Sequence, residues 1–370
     1  MVGQAQSEAW MTPVEIFAPY YSRALAKYIL RLPDVDAENL RIVEAGGGSG
    51  TNALHILNYL QVHAPEIYQK TCYTIVEISP VMASWQHERL IKHHAGHFQI
   101  MHADILTFGD QFAPIMEPCI LLALEVLDNL PHDKVGYENG EWFETVVTWN
   151  RQNTQRSSDS ITSTLAEAER SLQDPLILQT LEYFGCDLPL HTHHSLRTTA
   201  VGWLRKLMGE VGLEMTKAFV PTGSMQLLNT IKSCLPKHRL IAADFDSLPS
   251  PNLDSSSTKK PLYHPLSPTS LSDGTLHAAN APIVASKVQG ETVDYDTYLI
   301  QKGDVDVFFA TDFNRLKNAY CRIMGRPSDS VSIVKSSSFL KEFADIRKTK
   351  TITSYNPIIE DFSNTSFLLS

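Results

Sequence analysis

The sequence predicts an α/β fold built on a parallel sheet, and three observations carry that prediction. An apolar run, Leu40-Arg41-Ile42-Val43-Glu44-Ala45, stops at Gly46-Gly47-Gly48-Ser49-Gly50, and a helix-like segment follows from Thr51. A β-branched run, Tyr73-Thr74-Ile75-Val76-Glu77-Ile78, ends at Ser79-Pro80, an N-cap and N1 proline that start a helix through about His93. Cys119-Ile120-Leu121-Leu122-Ala123-Leu124 is apolar without alternation, as expected of a parallel strand covered on both faces.

The glycine run reads as a cofactor-binding turn. Glycines admit positive φ and let a ligand lie against the main chain, and the helix that follows offers unpaired N–H groups. A dinucleotide fingerprint, Gly-x-Gly-x-x-Gly counted from Gly46 and Gly48, would need glycine at position 51, where the chain has Thr51. The pattern present is Glu-x-Gly-x-Gly-x-Gly. A carboxylate at Glu44 accepts from an ammonium or hydroxyl group but repels a pyrophosphate, which favours S-adenosyl-L-methionine, a ligand with a sulfonium and an amino group and no phosphate. The same glycines would also serve a tight turn with no ligand.

The next elements extend a Rossmann-like reading. An acid at the end of the second parallel strand is where such folds grip ribose hydroxyls, so Glu77 is the expected ribose ligand, its alternative being a solvated strand-end acid. Phe98-Gln99-Ile100-Met101-His102-Ala103-Asp104 is a third strand candidate. Asp104 at its exit suits the adenine amino group or, equally, a helix N-cap. The fourth strand runs into Glu125-Val126-Leu127-Asp128-Asn129-Leu130-Pro131, polar groups where open α/β sheets place their ligands.

Taken together, Glu44 to Gly50, Glu77-Ile78-Ser79-Pro80 and Glu125 to Pro131 resemble the MidA family of class I methyltransferases. Leu240-Ile241-Ala242-Ala243-Asp244-Phe245-Asp246 is similar to the family's later strand and acidic turn, Gly303 to Phe313 to its late strand and following helix, and Tyr355 to Phe362 to the tail of plant, algal and fungal members. The resemblance implies S-adenosyl-L-methionine as cofactor, bound by Glu44, Gly46, Gly48, Gly50, Glu77 and Asp104. It implies a protein arginine methyltransferase that modifies a mitochondrial complex I subunit during complex I assembly, in the matrix. Methyl transfer needs alignment of a nucleophile and management of a proton. For an arginine acceptor, carboxylates hold the guanidinium by paired hydrogen bonds. Glu125 and Asp128 are the expected catalytic acids, with Asp244 and Asp246 next, while Asp128 also suits local capping of the Leu130-Pro131 turn. The resemblance further implies an N-terminal lobe with a Gly-Asp-Phe-type segment ahead of a helix like Thr12-Pro13-Val14-Glu15-Ile16-Phe17. Met1 to Met11 contains no such segment, so the expectation is a chain cut short at its start or one with an open site. The opening eight residues carry no Arg or Lys and do not read as a targeting peptide.

The expected organisation is a cofactor-binding core at 1–150, a helical substrate cap at 151–238, and the remainder of the core sheet at 239–370. Glu141 to Val147 reads as an added strand after a turn at Glu138-Asn139-Gly140. Arg151 to Ser160 reads as a loop, and Ile161 to Glu182 and Thr199 to Val211 as helices. From Ser247 to about Val288 the composition turns to Ser, Pro, Asn and Thr, with Pro249, Pro251, Pro261, Pro265 and Pro268. That predicts a disordered insertion at about 247–290.

At 370 residues and 43% apolar content the chain can bury a substantial core. A net charge of -10 argues against nucleic-acid binding, which needs basic surface, and suits a basic or guanidinium-bearing partner. No stretch is long and apolar enough to span a bilayer, so no integral membrane segment is expected. Five scattered cysteines without a Cys-x-x-Cys pair read as reduced thiols. No metal is expected: His191-Thr192-His193-His194 lacks ligands at a recognisable zinc spacing, and Asp304, Asp306 and Asp312 lack the Gly and Glu of a calcium loop and instead suit a strand end and a helix cap. Three other readings stay open: a catalytically impaired assembly scaffold, a small-molecule methyltransferase, and a nicotinamide oxidoreductase, the last disfavoured by Glu44 and Thr51.

Overall fold

A computed structural model describes residues 11–33, 39–138, 141–151, 163–184, 216–249, 262–263, 276, 278–288, 291–300 and 303–370. In chain order the strands are β1 Arg41–Ala45, β2 Cys72–Glu77, β3 Phe98–His102, β4 Cys119–Leu124, β5 Asp133–Glu138, β6 Glu141–Arg151, β7 Ser163–Ser171, β8 Thr216–Val220, β9 His238–Phe245, β10 Leu248–Pro249, β11 Leu262–Tyr263, β12 Ile283–Val288, β13 Glu291–Tyr295, β14 Asp306–Phe308, β15 Ser332–Lys335 and β16 Thr365–Leu369. The chain divides into two compact units, one of Ala9–Asp128, Gln226–Asp246 and Thr311–Ser370, the other containing Asn129–Met225 and Ser247–Ala310.

The first unit holds a seven-stranded sheet among the described residues, in the order β15-β16-β9-β4-β1-β2-β3. The five strands β3, β2, β1, β4 and β9 are parallel, and β16 runs antiparallel between β9 and β15. Every residue of β4 is buried, as its unbroken apolar run requires. The helix Thr51–His63 buries Ala53, Ile56, Leu57 and Leu60, the i, i+3, i+4, i+7 spacing of one helical face, and these pack with Ile42, Tyr73 and Ile75 in one core. The helix Tyr20–Ile29 adds Ala24, Leu25 and Ile29 to the same core. Each fully buried Leu or Ile contributes roughly 1.5–3 kcal/mol. The register pairs Ala45 with Val76 and Ala123, and Leu124 with Ala243, so the carboxyl ends of β2, β1, β4 and β9 lie side by side. That edge gathers the residues singled out from the sequence.

The second unit holds a four-stranded antiparallel sheet, β7-β6-β5-β8, a three-stranded sheet, β13-β12-β14, and the short pair β10-β11. Here the structure corrects several expectations. Within Ile161 to Glu182, Ser163–Ser171 is strand β7 and only Pro175–Tyr183 is helix, capped by Asp174. Leu165, Ala166, Glu167, Ala168 and Glu169 are good helix formers, but cross-strand ion pairs claim them: Glu167 with the buried Lys134, Glu169 with Lys217, and Arg170 with the buried Glu144. Antiparallel pairing of β5 with both β6 and β8 also ties residues 129–150 to this unit rather than to the first. Inside 247–290, β12 is an ordered strand with Val284 fully buried. Its six residues are hidden from a composition reading by the Ser/Pro-rich stretch before them. Of the loop expected at 151–160, Arg151 instead ends strand β6, and 152–160, the helix at 199–211, the histidines at 191–194 and most of 250–275 lie outside the described residues.

Candidate active site

At the carboxyl end of β1 the chain turns through Gly46 to Gly50 into the helix Thr51–His63. Two positions require glycine for different reasons. A Cβ at Gly47 would sit 2.6 Å from the Ile75 Cγ2 on the neighbouring strand, so the turn is pressed against β2. Gly48 has φ +50 and open space where its side chain would be, so its backbone faces a void that a ligand can fill. Gly46 and Gly50 also have positive φ.

Glu44 does not point into that space. The residue is only 2% exposed, and its carboxylate accepts from Asn52 Nδ2 at 2.7 Å and from Tyr73 Oη at 3.0 Å. Burial raises its pKa to about 7, against the pull of those two donors. The expected acceptor for a cofactor ammonium is therefore committed to bracing the turn, because a strand-end side chain at this alternation enters the core. Glu77, at the end of β2, is buried rather than solvated. One oxygen accepts from the Ser79 N–H at 2.9 Å and the other from Gln86 Nε2 at 2.9 Å, and the same Gln86 nitrogen donates to the Gly48 carbonyl at 2.8 Å. Gln86 thus joins the glycine turn to Glu77, and its own Oε1 is buried with no partner among the described residues. Asp104 spends Oδ1 on the Leu106 N–H at 2.9 Å, capping a short 3-10 turn. The cap that the sequence left open is formed.

A second cluster lies at the ends of β4 and β9. Glu125 has φ +53, a strained conformation for a residue with a side chain, and Val126 Cγ2 packs 3.3 Å from where a Gly46 Cβ would be. The acid segment therefore abuts the glycine turn. Asp244 is buried and accepts from the Leu127 and Asp128 N–H groups at 2.8 and 3.2 Å, clamping the turn that carries Glu125 and Asp128. Burial, reinforced by Asp128, lifts Glu125 to about 8, and burial with Asp128 and Glu125 pushes Asp244 well above the carboxylate range. Tyr21 from the helix Tyr20–Ile29 is buried in the field of Glu125 and Asp244, and the three line one narrow cleft with Phe17, Leu340 and Phe362. Asp246, by contrast, is engaged by Lys335 and Ser366.

Sequence reasoning missed Gln86 and Tyr21. Gln86 lies between the exposed Trp85 and His87, and nothing in residue type separates it from them; only its place two turns beyond the Ser79 cap does. Tyr21 stands in an apolar helix face as ordinary core would.

The residues fit a nucleoside with a charged tail. The open space at Gly48, the strand-end acid Glu77 and the unpartnered Gln86 Oε1 offer backbone and acceptors to such a ligand. Among the described residues no group of three or more metal-ligating side chains is found.

A family model described as "Putative S-adenosyl-L-methionine-dependent methyltransferase" matches residues 24–331. A Schizosaccharomyces pombe protein named "Protein arginine methyltransferase NDUFAF7 homolog, mitochondrial" is 31% identical over 127 residues, 32% of this chain and 27% of that protein. The chain thus matches about a quarter of the length of that relative. Two Burkholderia thailandensis crystal structures share the fold at 13% identity. One, bound to S-adenosyl-homocysteine, has a TM-score of 0.56 and covers 98% of this chain and 78% of its own. The other, a native form of an uncharacterised protein, has a TM-score of 0.55 and covers 97% and 81%.

Proposed function

The chain belongs to the S-adenosyl-L-methionine-dependent methyltransferase family, matched over residues 24–331, and from that premise we propose that it methylates an arginine side chain of a protein. The observation that carries the arginine reading is the acid set beside the glycine turn, Asp128 and Asp244 buried and Glu125 partly buried. S-adenosyl-L-methionine, when bound, supplies an activated methyl group. Gly46, Gly48, Gly50 and Glu77 would hold it, with the free oxygen of Asp104 available to its adenine. Glu44 acts as a positioning residue, fixing the turn through Asn52 and Tyr73.

The acids suit a guanidinium for two reasons. A cation entering among them replaces the water they have lost, and paired carboxylates match its planar fork. Glu125, with a pKa near neutrality, can also accept the proton that the acceptor nitrogen must lose. The relative's name supports a protein acceptor and a mitochondrial site of action, and the resemblance set out above extends this to a complex I subunit. No helix among the described residues is long and apolar enough to cross a membrane.

The test is methyl transfer from labelled cofactor to mitochondrial protein, with the modified residue located by mass spectrometry. Methylarginine is the expected product, and Glu125→Gln is expected to bind S-adenosylhomocysteine normally and lose transfer. Label confined to small molecules would replace this reading with a small-molecule methyltransferase.

A further inference from the structure

With Glu44 committed to Asn52 and Tyr73, the charged tail of the cofactor needs other partners, and one cluster beside the turn has the right charges. Glu15, on the short helix Pro13–Ile16, accepts from Ser49 Oγ of the glycine turn. Arg89, on the helix Pro80–His94, donates to the same Ser49 Oγ at 2.7 Å and to Thr51 Oγ1, the first residue of the helix after the turn. Ser49 and Thr51 are themselves 2.8 Å apart. A carboxylate and a guanidinium thus meet one serine hydroxyl of the glycine turn from two different helices. Neither has an ion-pair partner among the described residues: the salt bridges of this unit involve other side chains, and Arg89 bonds only hydroxyls. Both are partly buried, which strengthens any charge they meet.

We infer that Glu15 and Arg89 form a zwitterion clamp for the methionine end of the cofactor, Glu15 taking the α-ammonium and Arg89 the α-carboxylate. This rests on the cofactor assignment made above. The two charges offered match the two charges of an α-amino acid, and Ser49 fixes their separation from the turn. The helix start at Thr51 adds partial positive charge on the side of Arg89, where the carboxylate would lie. Arg23 is a further charge nearby: burial first, then the fields of Arg23 and Arg89, hold His55 below its ordinary pKa while Glu15 opposes them.

The clamp is tested by calorimetry on the full chain with two ligands. S-adenosylhomocysteine carries the amino acid, whereas 5′-methylthioadenosine keeps the nucleoside and lacks both charged groups. Glu15→Gln and Arg89→Gln are each expected to weaken S-adenosylhomocysteine by about tenfold or more, the worth of a lost charge-assisted hydrogen bond, and to leave 5′-methylthioadenosine within about threefold of the parent. Unchanged binding of S-adenosylhomocysteine, or equal losses for both ligands, overturns the clamp. Should one variant not fold, the other carries the test. If the parent chain binds neither ligand, it is the cofactor assignment that fails, and the two failures are distinguishable.

Discussion

Adjacent glycines in the β1 turn make separable predictions because their surroundings differ. Gly47→Val would drive a side chain into Ile75 on β2, so it is expected to lower the stability of the chain by about 1–3 kcal/mol, read as a fall in melting temperature. A Cβ at Gly48 meets nothing within 4 Å, so Gly48→Val costs the strain of a β-branched residue at positive φ, about 1–3 kcal/mol, while its side chain fills the void where a ligand would lie. It is expected to fold and to lose S-adenosylhomocysteine binding by calorimetry; retained binding would move the cofactor away from this turn. The sequence could distinguish a glycine turn from its surroundings but could not rank its members. It also could not tell that Glu44 faces inward, since a strand-end acid is ligand or brace according to the neighbours it finds, and Tyr73 and Asn52 are 29 and 8 residues away in the chain.

Among the elements, those whose signals are local were legible. β1, β2 and β4 lie where apolar runs and their flanking turns put them, and the Ser79 cap accepts from the Met82 N–H as the Ser-Pro start implied. Asp312 is of the same kind: it caps the helix Phe313–Met324 through the Asn314 and Arg315 N–H groups at 3.0 and 3.1 Å, which accounts for the acid without a calcium ion. Asp312→Ala is expected to cost about 1 kcal/mol in thermal unfolding and to leave the chain's stability indifferent to added calcium, as in the parent. A parent that melts higher in calcium, lost in the variant, would restore the metal reading. β7 shows where local signals fail. Its helix propensity is outweighed by nine registered pairs with β6 and by ion pairs to residues at 134, 144 and 217, all remote in sequence. Only a partner's position could have revealed it.

For the whole molecule, the buried acids and histidines set a pH dependence whose sign can be worked out. Glu125 at about 8 and Glu44 at about 7 stand above their unfolded values near 4.5, and Asp244 is raised as well, all chiefly by burial. Between about pH 4.5 and 8 the folded chain therefore holds protons that the unfolded chain has released, so these acids make stability fall as pH rises. His94, His132 and His238 act the other way: burial lowers all three to about 4, so below about pH 6.5 the unfolded chain takes up protons that the folded chain refuses. The two trends oppose each other from pH 4.5 to 6.5, and above 6.5 the histidines no longer offset the acids. Thermal unfolding of the ligand-free chain is thus expected to show a melting temperature that declines from pH 6.5 to 8.5. Glu125→Gln is expected to melt as the parent does at pH 5, where Glu125 is protonated, and several degrees higher at pH 8.5, where the parent holds a buried charge. Equal melting of the two at pH 8.5 would mean that Glu125 ionises as freely in the fold as in water. The same charge that weakens the empty protein is the one a bound guanidinium would neutralise, so the arginine reading further requires acceptor binding to tighten from pH 6.5 to 8.5 as Glu125 ionises, a trend that Glu125→Gln should abolish.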